Sequence, residues 1–270
     1  MQVDVTSRGY RTRALAGHML NPDMWPFFVD KAKGRLRRLT GQGRPVRHGA
    51  ESAIAYGGAH EMSAEDAVRT LGLPGLRDPR VEHPDAFEAA DRRVAAHPVR
   101  FKELGLAGAG QLDVIYTIVA GLSRRRVLET GVALGWSSLA ILLGMGPDGR
   151  LVSVDMPYPY LAGGSWVGMA VPPELAGRWK LIRRPDRAGL PQALKEGPFD
   201  FIHYDSDKAY EGRRRAYPLL WRALAPGGVL MSDDVSDNLA WADFCKDVGL
   251  TPVAVRRGVH GFSSFIVKPG

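Results

Sequence analysis

Short apolar runs alternate with helical periodicity through the second half of this 270-residue chain. Five of the runs predict strands of a parallel sheet with right-handed crossovers: 126–129, 151–155, 180–182, 199–205 and 228–233. Helices are predicted between several of these strands, over 137–143, 189–195 and 211–224. Two later runs, 251–256 and 262–268, flank a turn and predict an antiparallel pair at the end of the chain. The pattern therefore predicts an α/β fold.

The first 105 residues show no recurring strand pattern. Ser63 and the acids after it are typical of a helix start, because the hydroxyl caps the first turn and negative charge favours it. A second helix is predicted over 85–96. We expect residues 1–105 to form a helical or irregular extension that serves as a substrate cap or in oligomerisation. Residues 106–270 are expected to form the ligand-binding domain.

The composition is that of an ordinary folded protein. Apolar residues make up 45% and charged residues 24%, which is too apolar for a disordered chain. Cys245 is the only cysteine, so no intrachain disulfide and no cysteine-based zinc cluster can form. This usage fits a reducing cytoplasm, where we expect the protein. The longest apolar run, Val114–Leu122, is far shorter than the roughly 20 residues that span a bilayer, so no membrane partner is expected.

The net charge of +7 is unevenly distributed along the chain. Seven Lys and Arg residues and no acid lie within 31–47, whereas residues 111–270 carry 19 basic and 16 acidic residues. A basic stretch can bind nucleic acid or an acidic partner, or it can be a solvated helix face that continues into a loop. No RNA-binding aromatic motif or zinc-finger spacing accompanies it, so the sequence does not favour a nucleic-acid partner.

Four of the predicted strands end on an acid: Glu129, Asp155, Asp205 and Asp233. Ligands of open α/β sheets bind outside the carboxyl ends of the strands. Four carboxylates at one edge would repel one another unless a ligand or a cation uses them, and such clusters are typical of functional sites. We therefore expect the functional site at this edge of the sheet.

The first strand continues into a loop that contains two glycines. Gly131 permits a tight turn, Gly135 permits close approach of the backbone to a ligand, and Ser137 or Ser138 can cap the next helix. The spacing is Gly-x-x-x-Gly after an acid rather than Gly-x-Gly-x-x-Gly, which disfavours a dehydrogenase. Asp155, about 20 residues further on, can accept hydrogen bonds from ribose hydroxyls.

This order of motifs, Glu-x-Gly-x-x-x-Gly followed by a second-strand acid, resembles the S-adenosylmethionine site of class I methyltransferases. The resemblance implies a Rossmann-like, mostly parallel seven-stranded sheet and S-adenosylmethionine as the cofactor. In that family the glycines shape the loop under the methionine part, and the first acid lies near the amino acid end. The second acid holds the ribose, and the position after the third strand contacts the adenine. The implied cofactor-binding residues are Glu129, Gly131, Gly135, Ser137, Asp155, Asp186 and Asp205.

Two neighbouring strand ends carry a second set of polar residues. Asp205 and Lys208 follow the fourth strand, and Asp233 and Asp234 follow the fifth. In a parallel sheet the three carboxylates can bind one hard cation such as Mg²⁺. Beside a cation and partly desolvated, Lys208 is expected to have a pKa lowered toward that of a general base.

This set resembles the metal-dependent O-methyltransferases of the catechol and caffeoyl-CoA type, whose motif is Asp-x-x-Lys after one strand and Asp-Asn after the next. Asp205 and Lys208 match the first part, Asp233 matches the second, and Asp234 replaces the Asn and adds a negative charge. The resemblance covers about residues 110–270. It implies methyl transfer to a hydroxyl of a small molecule such as a sugar, a catechol or a natural product. A divalent metal lowers the pKa of that hydroxyl, Lys208 takes its proton, and homo-oligomers are common in the family.

Two alternative functions remain open at this stage. A nucleic-acid methyltransferase could use the basic stretch 31–47 as an anchor, and a non-catalytic binding module could keep the same fold. The segment 156–171, rich in Gly, Pro and aromatic residues, is either a cover over the substrate or edge packing. His203 is expected to be a core histidine rather than a ligand, and His260 is a weak candidate for any role.

Overall fold

A computed structural model describes residues 5, 7–29, 32, 36, 49–104, 106, 110–161, 164–259 and 261–270. The basic residues of the 31–47 stretch and His260 lie outside the described residues. The strands are β1 Glu61–Met62, β2 Arg126–Thr130, β3 Arg150–Val154, β4 Trp179–Ile182, β5 Phe199–Tyr204, β6 Leu224–Ser232, β7 Val253–Arg257 and β8 Gly261–Val267. The helices are α1 Arg8–Met19, α2 Ala50–Ala59, α3 Ala64–Arg69, α4 Pro79–Glu82, α5 Pro84–Ala96, α6 Leu112–Gly121, α7 Trp136–Gly144, α8 Asp186–Ala193, α9 Tyr210–Ala223 and α10 Ala240–Val248.

The strands form one sheet in the order β1-β7-β8-β6-β5-β2-β3-β4. The pairs β2/β3, β2/β5, β3/β4, β5/β6 and β1/β7 are parallel, whereas β8 runs antiparallel to both β6 and β7. The predicted α/β class, with a mostly parallel sheet and an antiparallel C-terminal pair, is confirmed. The seven expected strands are joined by β1 from the N-terminal extension. Two exposed residues are too few to show an alternating pattern, so no sequence signal marks this strand.

Helices cover both faces of the sheet. Because successive strand residues point to opposite sides, neighbouring residues of one strand belong to different cores. In β2, Leu128 belongs to the core under α8, α9 and α10, where Tyr217 and Trp241 pack. Its neighbour Val127 belongs to the opposite core, which includes residues of α6 and α7 such as Ile118 and Ile141. This two-layer cover leaves the strand ends as the edges at which polar groups can meet a ligand.

The N-terminal extension is joined to the sheet by several contacts. Ser63 caps α3 as expected, since its hydroxyl accepts a hydrogen bond from the Asp66 N–H at 3.0 Å. The β1 residue Glu61 pairs with Arg256 of β7. In α2, a Cβ on Gly57 would lie 2.6 Å from the ring of Phe262, so this helix sits directly on β8. The domain boundary near residue 105 stays a prediction. Among the described residues, no helix has both the length and the apolar character needed to cross a membrane.

Candidate active site

The chain reverses its direction of winding between β2 and β5. After β2 it moves to β3 and β4 on one side and then crosses to β5 and β6 on the other. The crevice at such a reversal is where α/β proteins bind ligands. Backbone hydrogen bonds join the strand ends, because the Asp205 N–H donates to the Thr130 carbonyl at 2.8 Å and the Asp233 N–H donates to the Tyr204 carbonyl at 2.9 Å. The strand-end acids are therefore gathered along one edge.

Residues 131–135, which we call the glycine loop, are fixed by backbone sterics. Gly131 and Gly135 have φ angles of +81° and +89°, a region that L side chains rarely adopt. A Cβ on Gly131 would lie 2.3 Å from the carbonyl oxygen of Asp205, and a Cβ on Gly135 would lie 2.8 Å from the Cα of Gly168. Both glycines are thus required by the packing of the loop against neighbouring backbone.

Glu129 lies beneath the glycine loop and is fully buried. Its carboxylate accepts hydrogen bonds from the hydroxyls of Ser137 at 2.6 Å, Ser138 at 2.5 Å and Ser153 at 2.8 Å. The buried His203, a core residue as expected, has its Nδ1 atom 4.0 Å from the same carboxylate. Burial raises the pKa of Glu129 and lowers the pKa of His203. Glu129 thus joins β2, β3 and α7 from inside, and its contact with a cofactor stays a prediction.

Asp155 follows β3 and is also buried. Its Oδ2 atom accepts a hydrogen bond from the N–H of Ala133 in the glycine loop at 3.0 Å. Burial raises the pKa of Asp155 to about 7, although the positive charge of Arg183 acts in the opposite direction. Arg183 has a buried Nε atom without a hydrogen-bond partner among the described residues. Its role was missed in the sequence, because only the fold brings it to Asp155. A buried donor of this kind calls for a polar partner.

Asp186 begins α8, at the strand end next to Asp155. Its Oδ2 atom accepts a hydrogen bond from the Ser206 hydroxyl at 2.6 Å, and that hydroxyl lies 2.9 Å from the Thr130 hydroxyl. Burial raises the pKa of Asp186. Asp186 is therefore joined to the ends of β2 and β5, and its contact with an adenine stays a prediction.

The residues 164–171, which we call the cover segment, pack on the glycine loop. The Gly168 N–H donates to the Ala133 carbonyl at 2.8 Å, and the Ala170 N–H donates to the Leu134 carbonyl at 2.8 Å. These hydrogen bonds agree with edge packing, one of the two interpretations of this stretch, and a cover over the substrate stays a prediction. These residues cover the loop whose backbone would face a ligand.

The cover segment is also held from two other sides. A Cβ on Gly168 would lie 2.1 Å from the ring of Trp179 in β4, so the cover segment packs closely against this ring. From α5, the guanidinium of Arg93 donates to the carbonyl of Met169 at 3.0 Å and to that of Ala170 at 2.6 Å. The extension therefore supplies a donor that ties the cover segment in place.

Asp205, Asp233 and Asp234, which we call the acid cluster, each offer an oxygen within 4.8 Å of the others. The Nζ atom of Lys208 contacts an oxygen of Asp205 and lies 3.0 Å from the Oδ2 atom of Asp234. The Asn238 side chain donates to the Lys208 carbonyl at 2.9 Å and fixes the loop that carries the lysine. The structure thus brings together the four residues that the sequence singled out at these two strand ends.

Arg257, the last residue of β7, is a second cation at the acid cluster that sequence reasoning missed. Its Nη1 atom lies 2.5 Å from the Oδ2 atom of Asp233 and 3.3 Å from the Oδ1 atom of Asp234. The hydroxyl of Ser263 donates to the other oxygen of Asp233. Both residues reach the cluster because β8 lies between β7 and β6. These contacts depend on the order of the strands in the sheet, so no local sequence pattern predicts them.

Arg213 of α9 is fully buried behind the acid cluster. Its Nη2 atom donates to the Asp233 carbonyl at 3.3 Å and lies 3.6 Å from a carboxylate oxygen of Asp237. Its Nε and Nη1 atoms have no partner among the described residues. The next residue after Asp233, Asp234, has a φ of +49°, an unusual value for a residue other than glycine. Arg213 therefore supports the backbone turn that presents Asp234.

The charges of the cluster act on Lys208 in a direction opposite to the one expected. Burial alone would lower the pKa of Lys208, but the carboxylates of Asp205 and Asp234 raise it above its usual range. Burial raises the pKa of Asp205 to about 6, with Lys208 acting against it. Burial also works to raise the pKa of Asp234, but Lys208 and Arg257 lower it overall. With protein groups alone the pKa of Lys208 is therefore raised, and its lowering beside a cation stays a prediction.

A divalent cation fits the donor chemistry of the acid cluster, since hard cations bind carboxylate oxygens and three carboxylates converge here. Both oxygens of Asp233 and both oxygens of Asp234 already contact protein donors. A cation at these residues would therefore share them with Lys208 and Arg257.

The chain is similar in sequence to known methyltransferases. Residues 128–235 match the family model described as a methyltransferase domain. A catechol O-methyltransferase from Mycobacterium tuberculosis is 29% identical over 182 residues, which are 60% of this chain and 81% of that protein. The probable caffeoyl-CoA O-methyltransferase 1 of Dictyostelium discoideum is 27% identical over 160 residues, 57% of this chain and 67% of that protein.

Two solved structures share the fold. An O-methyltransferase from Bacillus cereus in complex with SAH matches 68% of this chain and 91% of its own, with a TM-score of 0.54 and 20% identity. The cofactor-bound Rv0187 from MTB matches 76% of this chain and 96% of its own, with a TM-score of 0.51 and 25% identity.

In fold and in sequence the chain is similar to class I S-adenosylmethionine-dependent methyltransferases. The resemblance expected from the sequence is thus confirmed. Within that class the chain resembles catechol and caffeoyl-CoA O-methyltransferases in sequence.

Proposed function

We propose that this protein transfers a methyl group from S-adenosylmethionine to a hydroxyl of a small molecule, such as a sugar, a catechol or another natural product. The adjacency of the two halves of the site supports this most directly. The glycine loop and Asp155 follow β2 and β3, while the acid cluster and Lys208 follow β5 and β6, the next strands in the sheet. Ligands in the two halves would meet at the crevice between β2 and β5. We further propose a cytoplasmic protein of secondary metabolism.

The cofactor is proposed to bind along the glycine loop, and when bound it supplies an activated methyl group. Asp155 would accept hydrogen bonds from the ribose hydroxyls, and Arg183 supplies the nearby positive charge. Glu129 would act from below by holding the serines of α7, because its carboxylate is already taken up by their hydroxyls. The full proposed set is Glu129, Gly131, Gly135, Ser137, Asp155, Asp186 and Asp205.

The acid cluster is proposed to hold Mg²⁺ or another divalent cation through Asp205, Asp233 and Asp234. Such a cation, when bound, lowers the pKa of a hydroxyl group. The carboxylates themselves hold and orient the loop of Lys208 through its ammonium group. Holding two reactants in line supplies much of the rate in a single displacement of this kind.

Lys208 is proposed as the general base that accepts the hydroxyl proton at Nζ. The carboxylates raise the pKa of Lys208. They oppose this role while they are paired with the lysine, because a base must be unprotonated to accept a proton. When the charge of the carboxylates is taken up by other partners, the burial of Lys208 remains and lowers its pKa. The ion pairs of Lys208 are therefore proposed to weaken before the proton is transferred.

The proposal is tested with the purified full chain in two steps. Calorimetry with S-adenosylmethionine and S-adenosylhomocysteine is expected to give saturable binding, and the absence of binding would refute the proposal. A product assay for methyl transfer is then run on a panel of hydroxylated sugars, catechols and polyketides. Methylation of the hydroxyl oxygen is expected, while unchanged turnover in EDTA would remove the metal from the proposal but leave methyl transfer in place.

A further inference from the structure

We propose that Arg257 is a built-in competitor for the metal site, whose guanidinium keeps the affinity of the acid cluster for divalent cations low. The inference rests on the metal part of the proposed function. It concerns a residue that no local motif marks, because β7 is separated from β6 by β8 in the sheet.

Each carboxylate oxygen of the two acids that follow β6 contacts a protein donor. The Oδ2 atom of Asp233 contacts Arg257 and its Oδ1 atom accepts from Ser263. The Oδ1 atom of Asp234 lies 3.3 Å from the Nη1 atom of Arg257, and its Oδ2 atom lies 3.0 Å from Lys208. A metal ion needs lone pairs on these same atoms. It must therefore displace the guanidinium or bind beside it.

The charge count gives the reason for a second cation. Asp234 stands where the resembling enzymes have an uncharged Asn, so the cluster carries one extra negative charge. Lys208 is shared between Asp205 and Asp234, and Arg257 is shared between Asp233 and Asp234. Arg257 therefore offsets the charge that Asp234 adds. Two cations face three carboxylates, so most of the negative charge of the cluster is balanced by protein groups alone.

The competition has a measurable size. A cation near Asp233 and Asp234 would lie within a few ångströms of the guanidinium, where two positive charges at a partly buried site repel each other. Removal of the guanidinium charge is therefore expected to tighten metal binding by about tenfold or more, since about 1.4 kcal/mol corresponds to a factor of ten. The carboxylates that bind the metal remain in place.

The experiment measures Mn²⁺ binding by electron paramagnetic resonance on the full chain in the absence of cofactor and substrate. Arg257→Gln is expected to bind Mn²⁺ about tenfold more tightly than the wild type. Arg256→Gln is the matched control, because this neighbouring arginine pairs with Glu61 and not with the acid cluster. The control is expected to stay within about twofold of the wild type, since its charge is more distant and screened.

A double-mutant cycle separates competition from a general loss of structure. Asp234→Asn removes the charge that Arg257 offsets, so the effect of Arg257→Gln is expected to be smaller in that background. Arg257→Lys keeps a charge and is expected to bind Mn²⁺ less tightly than Arg257→Gln. Circular dichroism confirms that each variant is folded before the titration.

Two results would overturn the inference. One is an equal Mn²⁺ affinity for the wild type and a folded Arg257→Gln variant, and the other is no Mn²⁺ binding by either of them at millimolar concentration. S-adenosylhomocysteine binding is measured on the same samples. If it is absent while the Mn²⁺ affinities differ as expected, the proposed methyl transfer fails and the role of Arg257 stands.

Discussion

Asp155 and Asp205 are carboxylates on the same sheet edge whose pKa values burial raises to about 7 and about 6. Their partners differ, because Asp155 accepts a backbone N–H from the glycine loop while Asp205 contacts the ammonium of Lys208. At the scale of single residues, the site therefore has one acid held by a backbone N–H with the charge of Arg183 nearby, and one acid in contact with an ammonium group. Two predictions belong to this scale.

The first prediction concerns the proposed general base. Lys208→Met is expected to lower kcat by about 100-fold or more, since general base catalysis contributes at least this much. The affinity for S-adenosylhomocysteine is expected to change little, because the glycine loop and Asp155 are untouched. Steady-state kinetics and calorimetry provide the two measurements. Lys195→Met, at an exposed position, is the control, and an unchanged kcat in Lys208→Met would exclude Lys208 as the base.

The second prediction concerns pH and Asp155. Its pKa is 3.8 for a free side chain and about 7 in the fold, so between these values the folded state binds more protons than the unfolded state. The free energy of unfolding therefore falls as the pH rises from about 4 to about 7 on account of this group. Asp155→Asn removes that loss, so the variant should gain stability relative to the wild type as the pH rises.

Denaturant titrations at several pH values between about 5 and about 8 measure the effect. The difference between Asp155→Asn and the wild type is expected to grow with pH by up to a few kcal/mol, because each unit of pKa shift is worth about 1.4 kcal/mol. Asp148→Asn, at an exposed position, should show a constant difference. A constant difference for Asp155→Asn as well would contradict the raised pKa.

At the scale of elements, the glycine loop and the cover segment form one packed unit. Gly135 lies against the backbone of Gly168, and Gly168 lies against the ring of Trp179. The two segments also share backbone hydrogen bonds through Ala133 and Leu134. A side chain added at either glycine would therefore disturb the packing among the glycine loop, the cover segment and β4.

Gly135→Ala tests this unit. The alanine would have a φ of +89° and a Cβ 2.8 Å from the Gly168 Cα, and strain of this kind with overpacking costs about 2 kcal/mol or more. Denaturant unfolding measures the loss of stability. Gly146→Ala is the control, because no atom lies within 4 Å of its added Cβ. Equal stability of the two variants would contradict this prediction, because it would show that the glycine loop accommodates the added methyl group without a loss of stability.

Arg93→Gln tests the tie between α5 and the cover segment. Loss of the guanidinium leaves the carbonyls of Met169 and Ala170 without this donor, so local opening becomes easier. Hydrogen exchange followed by mass spectrometry should show faster exchange of the amides of Gly168 and Ala170. Arg92→Gln, next to it but paired with Glu88 at 3.5 Å on the surface, should exchange like the wild type. Unchanged exchange in both variants would mean that the loop contacts suffice.

At the scale of the whole molecule, the fold was predictable because its signals are local. Alternating apolar runs define β2 to β6, and strand-end acids mark the edge at which Asp205 and Asp233 meet. The missed features depend on distant contacts. Arg257 meets Asp233 only through the order of β6, β8 and β7. The raised pKa of Lys208 was missed for the same reason, since two carboxylates from different strands cause it.

The two-residue strand β1 has a consequence for how copies of this molecule behave together. An outer strand with free N–H and C=O groups is a template on which another chain can add a strand. Here β1 pairs with Ala254 and Val255 of β7, and the Ala254 N–H donates to the His60 carbonyl at 2.9 Å. The charged pair of Glu61 and Arg256 stands beside this pairing. The extension therefore covers part of the outer edge of β7, where another chain could otherwise add a strand.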